Sequence, residues 1–223
     1  MFIHSMVGRK IVMSVTGLVM VLFVIIHLLG NTSIFNGPDG INAYAVFLHS
    51  MGPFIWAVRI FMALTVCLHV YFGIQLTLEN RAAKPDRYAV KKNLSVTFAG
   101  RNMIWTGLIT GLYLVYHLLH FTLHVISPEH SAGTNVDAMG RPDVFMMVVY
   151  GFRSALVAGV YLFAMACLGL HLSHGLQSLV QTLGLNNEQT LPVVMKIGIV
   201  IAVMLFLGYG SIPASILAGM VGR

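Results

Sequence analysis

The chain has 223 residues, 57% of them hydrophobic and only 9% charged, with a formal net charge of +6 and a mean hydropathy of +0.84. A soluble domain carries about 25% charged residues, so this chain lacks the polar surface to face water and needs a bilayer as most of its solvent. The positive balance does not indicate a nucleic-acid partner, because the basic residues are few and lie between apolar runs instead of along one stripe.

Apolar runs long enough to span, about 20 residues each, fall at 11–30, 54–78, 103–126, 144–172 and 193–213. The first follows Arg9 and Lys10, as a signal sequence would. It is longer than the roughly 7–15 residues of a signal core and no small-residue cleavage site follows, so it is expected to remain as a membrane helix. The second begins after Pro53 and the fifth after Pro192, both suited to a first helical turn where the missing N–H costs nothing. No long hydrophilic domain intervenes. The expected fold is all-α: one integral membrane bundle of five transmembrane helices, a single domain over residues 1–223.

Charge sets the expected orientation. The 79–101 connection carries Arg81, Lys84, Arg87, Lys91, Lys92 and Arg101, whereas 31–53 has no Lys or Arg and 127–143 has only Arg141. The positive-inside rule puts the N-terminus and the 79–101 connection in the cytoplasm, and five spans then leave the C-terminus outside.

Histidines are costly in hydrocarbon, yet His27, His69, His117 and His171 lie one in each of the first four spans. Counted at ~1.5 Å per residue from the cytoplasmic edge, His69 and His171 lie ~15 Å in, His117 ~24 Å and His27 ~26 Å. The four sort into two pairs at two depths, each drawn from different helices. Two imidazoles facing each other at one depth can hold a flat ring with iron at its centre, as in bis-histidine haem ligation. Zinc takes four ligands, usually Cys, His or carboxylate, and no Asp or Glu lies deep in any span.

Other polar residues form a second tier. Arg59 and Arg153 lie ~9 Å and ~15 Å from the outer helix ends at Pro53 and Asp143, where each either meets a haem propionate or a quinone, or snorkels outward. His120 and His124 are expected on one helical face with His117, at i+3 and i+7. With His49 and Asn31 at the outer connection, they are candidates to donate to a quinone carbonyl, or else interface residues wetted by headgroups. Gly17, Gly73, Gly111, Gly159 and Gly175 read first as close helix packing, and would also give a flat cofactor room. His174, three residues after His171, is one turn nearer the cytoplasm at ~10 Å.

With these residues in hand, the chain resembles the dihaem cytochrome b membrane-anchor subunit of succinate dehydrogenase and fumarate reductase, the single-polypeptide two-haem type. The matching stretches are IIHLLGN at 25–31, LHVYFG at 68–73, VYHLLH at 115–120, LHLSHGLQS at 170–178 and the LENRAAKPDRY turn at 78–88. The resemblance implies two haem b groups, a proximal one on His69 and His171 and a distal one on His27 and His117. It also implies a flavoprotein and an iron–sulfur subunit on the cytoplasmic face, and a quinone, with menaquinone expected, near the distal haem. The dicarboxylate chemistry would then lie on a partner, in the cytoplasmic membrane, and a dimer of complexes is admitted. His174 would contact a propionate or the docked iron–sulfur subunit. Some members carry a glutamate two residues before the fourth-span ligand, where this chain has Gly169. Two other readings stand beside it: a dihaem anchor of a hydrogenase or formate dehydrogenase, and a haem-free transporter, which leaves the matched histidines unexplained.

Overall fold

The computed structural model describes residues 5–83 and 97–222. Lys84, Arg87, Lys91 and Lys92 of the basic connection, and the end of the 78–88 turn, lie outside the described residues.

Helix α1 (Met6–Asn31) starts where the Ser5 hydroxyl accepts from Gly8 N–H at 3.0 Å, filling one of the amides a helix start leaves unpaired. A 3₁₀ turn over Thr32–Asn36 leads into α2 (Gly37–Ser50), and Gly52, at φ 55°, turns the chain into α3 (Pro53–Ala82). After the undescribed stretch come α4 (Phe98–Arg101) and α5 (Met103–His117), which continues as a π turn over Leu118–Thr122. Then follow α6 (Val144–Arg153), α7 (Ala155–Thr182) and α8 (Leu191–Leu217). Five helical segments are long and apolar enough to cross a membrane: α1, α3, α5 with its π turn, α7 and α8. Their outer faces carry exposed Leu22, Ile26, Phe61, Leu64, Leu112 and Met204, as a bilayer solvent allows.

Helix α1 packs on α3 and α7, and α5 packs on the same two, closing a ring of four. Helix α8 lies outside that ring along α7, touching α1 and α6. At the Arg9 end the α1 and α3 termini are tied by Arg9 Nη1 donating to Glu79 Oε1 at 2.7 Å. At the far end α2 and α6 pack on each other over a core that includes Ile34, Ile41, Val149 and Phe152.

The fourth apolar run is two helices, not one. Residues 144–172 were expected as a single span, but Ser154 is extended (φ −75°, ψ 113°) and its hydroxyl faces Val157 N–H at 3.5 Å, starting α7 afresh. The crossing helix is therefore 155–182. Helix α6 buries Phe145, Met147, Val148, Val149 and Phe152 in the far-end cap. The third run also stops short of 126, its helix ending at Thr122.

The cap is stapled by polar groups. Asn42, fully buried, donates through Nδ2 to Asp137 Oδ2 (3.1 Å) and Asp143 Oδ1 (3.2 Å) and accepts from Phe145 N–H (2.9 Å). Arg141 reaches both Asp39 and Asp137 at 2.7 Å. The Arg141 side chain, with the amides of Arg141 and Met139 and the Asn42 amide, holds the Asp137 carboxyl well below the usual carboxylate range. A depressed carboxylate contributes stability that is complete above its ordinary value of 3.8 and lost as pH falls below it. The expected outcome is a melting temperature that drops more steeply between about pH 4 and 2.5 for the wild type than for Asp137→Asn. Parallel curves for the two proteins in the same detergent would rule out this role.

Candidate functional site: two histidine pairs inside the ring

The ring of four helices turns one histidine of each inward. His69 on α3 and His171 on α7 face each other with ring centroids 6.3 Å apart and planes at 72°. His27 on α1 and His117 on α5 do the same at 6.1 Å and 82°. A metal–imidazole bond of about 2 Å on each side, plus a little over 1 Å from each nitrogen to its ring centre, makes about 6 Å. Both separations therefore suit one iron between two imidazoles. Among the described residues no third His, Cys, Asp or Glu joins either pair to complete a metal site.

The hydrogen bonds of the first pair fix which nitrogen is free. His69 Nδ1 lies 3.1 Å from the Met13 carbonyl and 3.3 Å from Thr16 Oγ1. A carbonyl only accepts, so Nδ1 carries the proton and Nε2 keeps its lone pair for a ligand. The Thr16 hydroxyl is itself committed to the Val12 and Met13 carbonyls (2.8 and 3.0 Å), leaving its oxygen to receive the imidazole N–H. His171 repeats the threonine contact: its Nδ1 lies 3.4 Å from Thr106 Oγ1, while Thr106 donates to the Asn102 and Met103 carbonyls.

Glycine makes the room. A methyl group on Gly17 would sit 3.2 Å from Cε1 of His69, and one on Gly107 would sit 3.0 Å from Cε1 of His171, closer than ordinary packing.

The second pair is held differently. His117 Nδ1 lies 3.4 Å from the Tyr161 hydroxyl, which also meets Nδ1 of buried His120 at 3.1 Å. The His27 ring stacks on Phe23 at 5.5 Å, and Tyr209 lies 6.3 Å away with its hydroxyl on the Val24 carbonyl.

The second-tier residues scatter. Arg59 is exposed, its guanidinium 4.9 Å from the Trp56 ring centre. Arg153 is exposed at the α6–α7 break, over Tyr150 and donating to the Gly222 carbonyl at 2.8 Å. His124 leaves the helical face expected for it: the π turn ends first and His124 has φ 53°. Asn31 donates to the His27 carbonyl (2.7 Å), and His49 Nδ1–H donates to Ala45 (2.7 Å). His174 packs its ring edge on Gly100, and its buried Nδ1 has no partner among the described residues. It borders a cavity of about 610 Å³ that Ser173, Gln177 and Phe206 also line. Gly169 lies where α8 comes close, the Ala202 carbonyl 3.6 Å from where its methyl would be.

Sequence reasoning passed over Thr16, Thr106, Gly107 and Tyr161. Tyr161 carries no separate signal in an apolar helix. The other three share one, because M-x-x-T-G occurs at 13–17 and again at 103–107, and a search for internal repeats finds it. No family model, curated protein or solved structure matches the chain.

Proposed function

We propose that the chain is the membrane-anchoring dihaem cytochrome b subunit of a succinate dehydrogenase or fumarate reductase, carrying electrons between a membrane quinone and partner subunits. The observation that carries this reading is the pair of imidazole–imidazole separations, 6.3 and 6.1 Å, each joining two helices inside an apolar ring. His69 and His171 would hold the proximal haem and His27 and His117 the distal one. When bound, haem supplies one-electron storage within the membrane, which no side chain in this ring provides.

The chain's own residues orient the imidazoles and keep water out. Met13 and Thr16 hold His69 with Nε2 free, and Thr106 meets Nδ1 of His171 in the same way. The orientation supported by the basic residues puts the Arg9 end in the cytoplasm, where an iron–sulfur subunit and a flavoprotein would dock. The α2–α6 cap would then face outward. A quinone, menaquinone on this reading, would bind near the distal pair, where His120 and Tyr161 offer polar hydrogens inside an aromatic cluster. The dicarboxylate site would belong to the flavoprotein.

The test is isolation of the intact complex through a tag on this chain. A flavoprotein and an iron–sulfur protein should come with it, together with succinate-dependent reduction of a quinone. A partner oxidising hydrogen or formate instead would overturn the assignment to succinate or fumarate. His174→Ala is expected to keep both haems, because its ring faces Gly100 and not His69. Loss of a haem in His174→Ala, with retention in His171→Ala, would reverse the choice of ligand.

A further inference from the structure

The ligand-bearing segments of this chain occur twice. The pattern M-x-x-T-G-L-x₃-L-x₄-H-L-L begins at Met13 and ends just past His27, and it begins again at Met103 and ends just past His117, ninety residues on. A second pattern, L-H-x₃-G-x-Q, begins at Leu68 and again at Leu170, covering His69 and His171. Between the two patterns lies a far-end helix each time, α2 in the first half and α6 in the second, and these two pack on each other. The order helix, cap, helix therefore runs through α1–α2–α3 and repeats through α5–α6–α7, with α8 outside the repeat.

Geometry repeats with sequence. In each half the hydroxyl of the motif threonine meets Nδ1 of the histidine on the unit's second spanning helix, at 3.3 and 3.4 Å. In each half the motif glycine leaves the space that the edge of that ring takes, at 3.2 and 3.0 Å from the methyl position. Equivalent residues then face each other: His69 is the counterpart of His171, and His27 of His117. Facing of equivalents is what two copies related by an approximate two-fold axis through the ring would produce. Two unrelated helix pairs would have no reason to match in both motif and partner.

We infer that the chain is an internal duplication of one helix–cap–helix unit and that M-x-x-T-G is its histidine cradle, with Thr16, Gly17, Thr106 and Gly107 the positioning residues for the His69–His171 pair. Each unit contributes one histidine to each pair, so neither pair is complete within a single unit. The cradle sets the tautomer and the ring direction, through a threonine contact to Nδ1 that is present on both sides of one pair. The His27–His117 pair is matched by an aromatic ring one turn before each histidine, Phe23 on His27 (5.5 Å) and Tyr113 on His117 (5.9 Å), while the hydrogen bond from Tyr161 falls on His117.

The inference rests on the haem reading above, and the test separates the two. Redox titration of the purified chain, followed in the haem α band, is carried out on wild type, Thr16→Val, Thr106→Val and the corresponding Thr→Ser variants. The expected result is a shift of one haem only, the same haem and the same direction for both valine variants, with serine restoring the wild-type value. Gly17→Val and Gly107→Val are expected to lose that haem and keep the other, and the retained spectrum shows that the variant has folded. If a glycine variant loses both haems, the threonine pair decides. Valine variants that leave both potentials unchanged, or that move different haems, overturn the cradle while leaving the haem reading intact. A wild-type chain without haem overturns both.

Discussion

His69→Ala and His171→Ala should each take the haem content of the purified chain from two to one, and both should remove the same haem. The reason is geometric. At 6.3 Å between ring centres, the two imidazoles can share one iron, and neither has another ligand within reach among the described residues. Removing one leaves a single axial bond and a cavity of imidazole size in an apolar ring, which low-spin bis-histidine ligation does not survive. The double variant His69→Ala with His171→Ala should be no worse than either single one, because residues that act as a unit are not additive. His27→Ala and His117→Ala should remove the other haem, and His27→Ala combined with His69→Ala should remove both. Pyridine haemochrome quantitation against protein, with the low-spin electron paramagnetic resonance signals, reads each case. A pattern in which His69→Ala and His117→Ala removed the same haem would mean that the pairs are drawn wrongly.

Asn42→Ala should destabilise the protein by about 3 kcal/mol, the largest effect expected from any single change outside the ring. Asn42 is fully buried and joins three elements: α2 that carries it, the 131–143 connection through Asp137, and the start of α6 through Asp143 and Phe145. Alanine leaves the Phe145 N–H without its acceptor in the interior and removes the donor that lies between two carboxylates. Asn42→Asp should be worse at neutral pH, since it places a third negative charge beside Asp137 and Asp143, and it should recover as pH falls and that charge is neutralised. Thermal melts in one detergent across pH measure both. Wild-type-like melting of Asn42→Ala would show that the α2–α6 cap is held without the Asn42 hydrogen bonds.

Much of the ring was legible because hydrocarbon makes polar groups conspicuous. Four histidines at fixed rise per residue pair by depth, and the structure brings those same residues face to face across different helices. What misled was local backbone conformation inside apolar sequence. The run 144–172 reads as one helix by composition, and only Ser154 marks the break, through a cap whose signal is one hydroxyl. That break leaves Arg153 exposed at the end of α6, where it donates to the Gly222 carbonyl. The π turn after His117 undid a periodicity argument in the same way: His120 stays near Tyr161, but His124 lies on a left-handed turn. Thr16 and Thr106 escaped for another reason. A threonine bonding its own helix carbonyls is unremarked in any membrane helix, and only its recurrence with the same methionine and glycine distinguishes it.

The most direct test of the central claim is a haem count on the purified chain. A dithionite-reduced minus oxidised spectrum, quantified as pyridine haemochrome against protein of 24.4 kDa, should show two b-type haems per chain. A preparation that folds, melts cooperatively and carries no haem when expressed with haem in supply would contradict the account.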